Sequence, residues 1–582
     1  MLEHVDFNAE PMDKAAYKQE YKPLMEKLVL LQQKARAEGI GLVVLFEGWG
    51  GAGKGSRISD LMYNLDARAT SVHVTKDIDM REFFEFPGLS NGMTGYYPVM
   101  KEFWESLGER GTITFYDRGW YTKAVEQALY ATYGKLKPSR FEEFTDRLSD
   151  IASAGAEGMI DKAYDDVLNS YYHYARTFER MLVNDGYTVI KFFVHVRDKT
   201  RMKRLRKLYS DPNTSWRVTQ SKINQTKDYE RAYKLYDALM ETSNFEFAPW
   251  TLVNGEDSRA ANLQIAHALV NAIEGALNKK PDEAALAAKA SALANSAAQT
   301  VGETMPAENK HEDNAEQVRM AAEGEARAQA ANAPEASDFA IVSNYPKIDH
   351  SVPMPRLEED YKTALKKEQK RLFKLENEMF QQRVSLMVMY EGWDAAGKGG
   401  NIKRVAQAID ARGYTVFPSP APTKPELAHP HLWRYWTRLP KAGHVGFYDR
   451  SWYGRVLVER VEGFASDSEW ARAYDEINEF EYEMTRWGAL LLKFWVDVSP
   501  EEQLRRFEDR AANPAKQWKM TDEDWRNRDK YPQYKAAVDD MFRLTSTEFA
   551  PWAILESDDK QYARIKALRI INDALAKRLG ME

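Results

Sequence analysis

Nine consecutive residues, Gly392-Trp393-Asp394-Ala395-Ala396-Gly397-Lys398-Gly399-Gly400, have the types and spacing that hold phosphate groups. An apolar run ending at Tyr390 precedes them and a helix-length segment follows, which is the setting a P-loop requires. In that setting the glycines let backbone N–H groups turn toward phosphate oxygens, the start of the helix adds partial positive charge, and Lys398 reaches the outer phosphates. A glycine-rich turn that merely caps a helix is the plain alternative, and the agreement of context with spacing weighs against it. The hydroxyl residue that usually follows the lysine is missing, and Gly399 stands in its place. Phosphoryl transfer needs a cation to neutralise developing charge, so magnesium must find its carboxylates elsewhere. Asp394, inside the loop, and Asp449, at the end of a later strand, are the candidates. For Asp449 the alternative is a helix N-cap at a strand-to-helix turn.

Cations surround this set. Arg434, Arg438, Arg455 and Arg460 flank Asp449-Arg450, and Arg505, Arg506, Arg510, Lys516 and Lys519 follow a later strand in one polar segment. Forked guanidinium groups suit phosphate chains, and a basic lid excludes the water that would hydrolyse a donor. Glu501, Glu502, Glu508 and Asp509 are interleaved, so some of these cations belong to an ordinary solvated face.

The elements that must position these residues occur twice. The run Leu42 to Phe46 followed by Glu47-Gly48-Trp49 returns as Ser385 to Tyr390 followed by Glu391-Gly392-Trp393. Tyr116-Asp117-Arg118 returns as Tyr448-Asp449-Arg450, Lys191-Phe192 as Lys493-Phe494, and Ala248-Pro249-Trp250 as Ala550-Pro551-Trp552. Four landmarks in one order indicate duplicated domains, and the period is too long for a solenoid. Leu24, Leu28 and Leu31, and likewise Tyr361, Leu365, Leu372, Leu375 and Met379, recur at helical spacing ahead of each loop strand. Short apolar runs ending near Tyr390, Tyr448, Val498 and Ser557 alternate with helix-length segments. The fold class expected is α/β: two duplicated P-loop kinase-like domains, each a parallel sheet with helices on both faces and a helical lid. Ligands of such sheets sit at the carboxyl ends of the strands, where both loops fall. Residues 12–278 and 345–582 are the two domains, and the Ala-rich stretch 279–344 is read as a linker.

These motifs resemble those of the polyphosphate kinase 2 family, whose loop reads G-x-D-A-A-G-K-G-G and whose second acidic motif reads D-R-S-W-Y. Here the second is Asp449-Arg450-Ser451-Trp452-Tyr453. The resemblance continues through Arg455, Arg460, Lys493, Arg505-Arg506, Trp518-Lys519 and Ala550-Pro551-Trp552, and so spans residues 355–578. It implies that Asp394 and Asp449 hold magnesium, that Lys398 and Arg450 hold the transferring phosphates, and that Arg506 and Arg510 belong to a basic lid. The tandem architecture implies AMP as acceptor, giving ADP, with polyphosphate as donor. An ATP-dependent nucleoside monophosphate kinase and a nucleotide-binding scaffold without turnover are the other readings.

The first copy departs where chemistry is concentrated. Aligned around each landmark, Asp394 corresponds to Gly50, Arg434 to Glu102, Arg460 to Ala128 and Arg510 to Leu208, while Lys54, Asp117 and Arg118 remain. Loss of a transition-state cation costs orders of magnitude in rate, so residues 12–278 are expected to be structural and nearly inactive. An insertion over 133–166 has no counterpart in the second copy. With 582 residues, 44% hydrophobic and 29% charged, the chain has a soluble composition, and a net charge of -7 argues against generic nucleic-acid binding. The absence of cysteine removes thiolate chemistry, and the charged beginning lacks the apolar core of a signal peptide, so a cytoplasmic protein is expected, with no membrane partner and further assembly left open.

Overall fold

The computed structural model describes residues 1–78, 95–134, 157–227, 229–278, 339–513 and 522–582. It divides into two compact units, Met1–Lys280 with Thr423–Thr437, and Pro281–Pro422 with Arg438–Glu582. Each holds a five-stranded sheet in which every pairing is parallel. In the first unit the strands are β1 (Gly41–Gly48), β2 (Thr70–Val74), β3 (Ile113–Asp117), β4 (Tyr187–His195) and β5 (Trp250–Asn254), in the order β2-β3-β1-β4-β5. In the second they are β6 (Leu386–Gly392), β7 (Tyr414–Pro418), β8 (Val445–Asp449), β9 (Leu490–Asp497) and β10 (Trp552–Glu556), in the order β7-β8-β6-β9-β10. The wiring is identical, and the α/β expectation is met in both halves.

The pattern of burial explains the order. β1 is buried along its whole length and β6 along all but its last residue, so helices cover both faces of each central strand. β2 and β7, which the apolar runs did not reveal, are edge strands with half-exposed side chains. The helices expected ahead of each loop form over Lys14–Ala37 and Tyr361–Gln381, capped by the side chains of Asp13 and Asp360. They bury Leu24, Leu28 and Leu31 in one case and Leu372, Leu375 and Met379 in the other, packing on the helices Ser258–Asn278 and Lys560–Leu579.

A buried polar cluster recurs in both units. Lys493 Nζ donates to Glu481 Oε2 (2.7 Å) and the Thr545 carbonyl (2.6 Å), while Trp452 Nε1 and Tyr453 Oη donate to Glu481 Oε1 (3.0 and 2.7 Å). Lys191, Glu179, Trp120, Tyr121 and the Ser243 carbonyl repeat it in the first unit. A fully enclosed charge pair persists only where its remaining donors and acceptors are met, and here they are. Trp452 and Tyr453 are thus part of the core.

Of the stretch read as a linker, residues 279–338 lie outside the described residues, as do 135–156 of the insertion. Phe339 packs its ring 5.0 Å from Tyr482 and 5.5 Å from Phe549 within the second unit. In the first unit the segment Thr423–Thr437 opens with a capping box between Thr423 and Glu426, places His429 Nε2 3.1 Å from the Leu107 carbonyl, and stacks Trp436 on Trp104.

Candidate active site

β6 delivers the second loop. Gly392, at φ 141°, runs so close to β9 that a Cβ would lie 2.2 Å from the Val496 carbonyl oxygen, a separation no side chain can occupy. Gly397, at φ 119°, precedes the helix Lys398–Ala406, and Ala395 holds φ 60°, a left-handed value that strains a non-glycine residue. Arg506 fixes that shape. It is buried, and its Nη1 donates to the carbonyls of Ala395 (3.0 Å) and Ala396 (2.9 Å) while Nη2 reaches those of Ser557 and Asp558. Ser557 Oγ adds a bond to the Ala396 carbonyl (2.6 Å), and Lys398 Nζ folds back on the carbonyls of Gly392 (2.6 Å) and Trp393 (3.3 Å).

Asp394 stands at the centre. Its Oδ1 lies 3.3 Å from Arg450 Nη2, and its Oδ2 accepts from Asn527 Nδ2 at 2.9 Å. Burial works to raise its pKa, but the charges of Lys398 and Arg450 and the Asn527 bond outweigh it and hold the carboxyl below its ordinary value. Asp449 ends β8 beside Tyr390 of β6, so the two carboxylates leave the same end of neighbouring strands. Glu391, buried next to the loop, accepts from Ser451 N and Oγ (both 2.7 Å) and shapes the turn that sets Arg450 at φ 63°. A cleft of about 430 Å³, within the range of small-molecule sites, opens beside Gly399, Lys403, Gln407, Tyr414 and Asp449.

The other candidates are placed as follows. Arg510 lies in the last turn of the helix Pro500–Ala511 and has no ion pair among the described residues. Together with Arg505 and Arg506 it adds positive charge around Lys560, whose ammonium burial and these neighbours push down to about 8. Arg505, by contrast, is tied to Glu502 (2.7 Å) and Asp509 (2.9 Å), the solvated face that the interleaved acids suggested. Arg455 is held by Glu459 and Glu469, and Arg460 by Tyr474 and Asp540 with its guanidinium 4.2 Å over the Trp470 ring. Arg434 belongs to the segment that clusters with the first unit, where its Nε lies 3.3 Å from Glu426. Lys519 lies outside the described residues. Asn527, Gln503 and Ser557 were not picked out in the sequence, because amide and hydroxyl side chains carry no signal until the fold brings them to the loop.

The polyphosphate kinase 2 (PPK2) family model matches residues 11–150, 144–281 and 356–580. The chain belongs to that family. It is accordingly a phosphotransferase, as its second loop led one to expect. A relative from Pseudomonas syringae pv. tomato, a polyphosphate:AMP phosphotransferase, is 33% identical over 555 residues, covering 95% of this chain and 93% of the relative. A protein of the same description from Pseudomonas aeruginosa is 33% identical over 554 residues, again covering 95% and 93%. A crystal structure described as a polyphosphate kinase 2 from Pseudomonas aeruginosa PA01 superimposes with a TM-score of 0.68 at 29% identity, covering 99% of both chains.

In this member of the family the first loop is built on the same frame and then filled. Arg204 repeats the strut, donating to the carbonyls of Gly51, Ala52, Gly255 and Glu256, and Lys54 Nζ folds onto those of Gly48 (2.6 Å) and Trp49 (3.0 Å). Where Asp394 would stand, the Lys222 chain lies over Gly50, 2.9 Å from the place of a Cβ, and Gln225 Oε1 takes the Gly50 N–H at 3.0 Å. Burial pushes the Lys54 ammonium down to about 8, Asp117 opposing and Lys222 reinforcing the change. Arg118 keeps the left-handed backbone of Arg450 but donates to Asp77 and the Thr75 carbonyl. The space left among Gly50, Lys54, Arg118 and Lys222 is about 20 Å³, enough for one water and too small for a phosphoryl group. The tryptophan after the first glycine is anchored differently in each copy. Trp49 Nε1 donates to His195 Nδ1 (2.7 Å), whereas Trp393 Nε1 donates to Asp497 Oδ1 (2.7 Å), with His350 Nε2 2.9 Å from the other carboxylate oxygen.

Proposed function

We propose that the protein transfers a phosphoryl group from inorganic polyphosphate to AMP, giving ADP, in the second unit, and that the first unit has a structural or binding role. The observation that carries this reading is the second loop itself, where a carboxylate, an ammonium and a guanidinium converge on one P-loop beside an open cleft, while the first loop is plugged. The relatives described as polyphosphate:AMP phosphotransferases support AMP as acceptor.

In the reaction a phosphate oxygen of the acceptor attacks the terminal phosphorus of the donor chain, the bridging P–O bond breaks, and the shortened chain departs. The loop N–H groups and Lys398 hold the donor end, and Arg450 leaves Asp394 to follow the charge that spreads over the transferring group. Arg510 supplies a further cation from the lid helix. Among the described residues no cluster of three or more His, Cys, Asp or Glu is arranged for a metal. Two carboxylates at adjacent strand ends, completed by substrate phosphates and water, are nevertheless the donor set that suits magnesium. Asp394 and Asp449 would hold it, and it would neutralise charge between donor and acceptor phosphates. Gly399 has open space around the position of a Cβ, so nothing steric excludes a hydroxyl there. The carboxylate in the loop would take over its role.

Chromatographic separation of AMP, ADP and ATP after incubation with magnesium and either polyphosphate or ATP tests the proposal. ADP formed from polyphosphate is the expected result, and formation only with ATP would overturn the donor. Asp394→Asn should lower kcat at least about 100-fold, and Lys54→Ala should keep most of the activity. The reverse pattern would move the reaction to the first unit.

A further inference from the structure

The two units invert the charge of one helix. In the second unit the helix Pro500–Ala511 carries three arginines against four acids and neutralises itself through the Arg505 pairs. Its counterpart in the first unit, Asp198–Ser210, carries Lys199, Arg201, Lys203, Arg204, Arg206 and Lys207 against the single acid Asp198. Three positions reverse sign outright: Glu501 corresponds to Lys199, Glu508 to Arg206 and Asp509 to Lys207. Arg201 and Arg204 are committed inward, the first to Asp198 and Thr226 and the second to the loop carbonyls. Lys199, Lys203, Arg206 and Lys207 are exposed, and among the described residues none has an ion pair.

Spaced four, seven and eight residues from Lys199, these four cations share one face and extend along about 12 Å of helix. Like charges at such spacing destabilise a helix, and the chain as a whole is net acidic, so the strip is neither self-stabilising nor a reflection of bulk composition. On the adjoining turn Ser215–Arg217 the exposed Arg217 lies 5.3 Å over the exposed Trp216 ring, which extends the basic surface. A row of unpaired cations on one side of an acidic protein is complementary to a linear polyanion.

We propose that the helix Asp198–Ser210 is a docking strip for the inorganic polyphosphate chain, separate from the transfer site. The identity of the occupant rests on polyphosphate being the donor substrate. A long chain held at the strip keeps its free end tethered to the protein, which raises the effective concentration of that end for transfer, an advantage that short chains lack. The first unit thereby contributes affinity without chemistry.

The test uses the full chain carrying Lys199→Glu, Arg206→Glu and Lys207→Asp, residues that the equivalent helix already accommodates. With AMP and magnesium, KM for long-chain polyphosphate should rise about ten-fold, KM for a chain of a few phosphates should stay within about two-fold, and kcat should not change. Direct binding of long polyphosphate, followed by anisotropy of a labelled chain, should weaken and lose much of its salt dependence. An unchanged KM for the long chain overturns the proposal, and so does an equal rise for both lengths, which would place the cations at the transfer site. Loss of binding to a single-stranded oligonucleotide with polyphosphate binding unchanged would also overturn it, in favour of nucleic acid. If the wild-type protein makes no ADP from polyphosphate, the proposed function fails, and the anisotropy arm still decides the strip. A Lys199→Gln, Arg206→Gln, Lys207→Gln variant repeats the measurement should the charge-reversed chain melt early.

Discussion

In both halves of the chain a lysine folds back onto the first carbonyls of a P-loop, and an arginine from a later helix ties the loop to the end of the strand next in sequence. From that shared frame the halves part. In the second, Asp394 rises from the loop between Arg450 and Asn527, and space is left beside Asp449. In the first, glycine replaces the aspartate, Lys222 lies over it, Gln225 takes the loop N–H, and Arg118 turns to Asp77. The comparison teaches that the frame of a phosphate site is separable from what stands above it: the strut, the folded-back lysine and the buried Glu–Lys–Trp–Tyr cluster are common to both halves, and the halves differ in a handful of side chains over the loop.

The sharpest way to break this comparison is to remove the strut from each half in turn. Arg506→Met deprives four carbonyls of their donor and leaves Glu502 without that partner, so it should cost about 3 kcal/mol of stability and at least about ten-fold in kcat/KM. Arg204→Met should cost a similar stability with kcat/KM within about two-fold. Equal losses of activity would mean that the first loop participates in turnover. Thermal unfolding and steady-state kinetics on the two variants decide between these outcomes.

Asn527 comes next. Asn527→Leu removes the donor to Asp394 Oδ2 without touching a substrate contact, and the carboxylate loses its orientation. A fall of about ten-fold in kcat is expected, together with a higher magnesium requirement. The matching change Gln225→Leu should leave kinetics unaltered. A kcat unmoved by Asn527→Leu would show that Arg450 alone orients the loop carboxylate.

The smallest effect lies in the tryptophan anchors, which should respond to pH in opposite senses. His195 must be neutral at Nδ1 to accept from Trp49, and burial holds its pKa down to about 4. The unfolded chain, titrating near 6.5, binds the proton more readily, so the first unit loses stability as pH falls from about 6.5 toward 4, on the order of 2 kcal/mol once solvent screening is allowed for. His350 faces Asp497, with Asp558 and Glu501 also nearby and the Tyr531 hydroxyl 3.4 Å from its Nδ1. The hydrogen bond to Asp497 raises its pKa although burial opposes, so its contribution is complete below about 6.5 and disappears as pH rises through the folded-state value. In melting curves against pH, the His195→Asn and His350→Asn variants should therefore both part from wild type on the acid side and in opposite senses: as pH falls below about 6.5 His195→Asn gains stability relative to wild type, whereas His350→Asn lies below wild type there and rejoins it as pH rises through the folded-state value of His350. A change of the same sign in both variants would overturn the assignment.

Much of this was legible beforehand for a physical reason. Gly392, Asp394, Lys398 and Asp449 announce themselves because a P-loop and the strand end beside it are local devices, fixed by a few residues in sequence. The central strands were visible as continuous apolar runs. β2 and β7 were not, since an edge strand of five half-exposed residues has no run to show. Cations were harder still. Arg506, Arg505 and Arg460 look alike as residues in polar segments, yet one reaches loop carbonyls, one a pair of acids, and one an aspartate while it lies over a tryptophan ring. What a guanidinium binds is set by acceptors brought from distant parts of the chain, and spacing does not encode them.

Ala395 gives the frame a further meaning. A methyl-bearing residue held in a left-handed conformation costs about 1 kcal/mol or more, and Arg506 and Ser557 keep it there by gripping the carbonyls of Ala395 and Ala396. The equivalent Gly51 adopts the same kind of angle without resistance. The second loop thus meets phosphate with a cradle already set, and little disorder has to be surrendered on binding, whereas the first loop keeps the freer glycine at the same point.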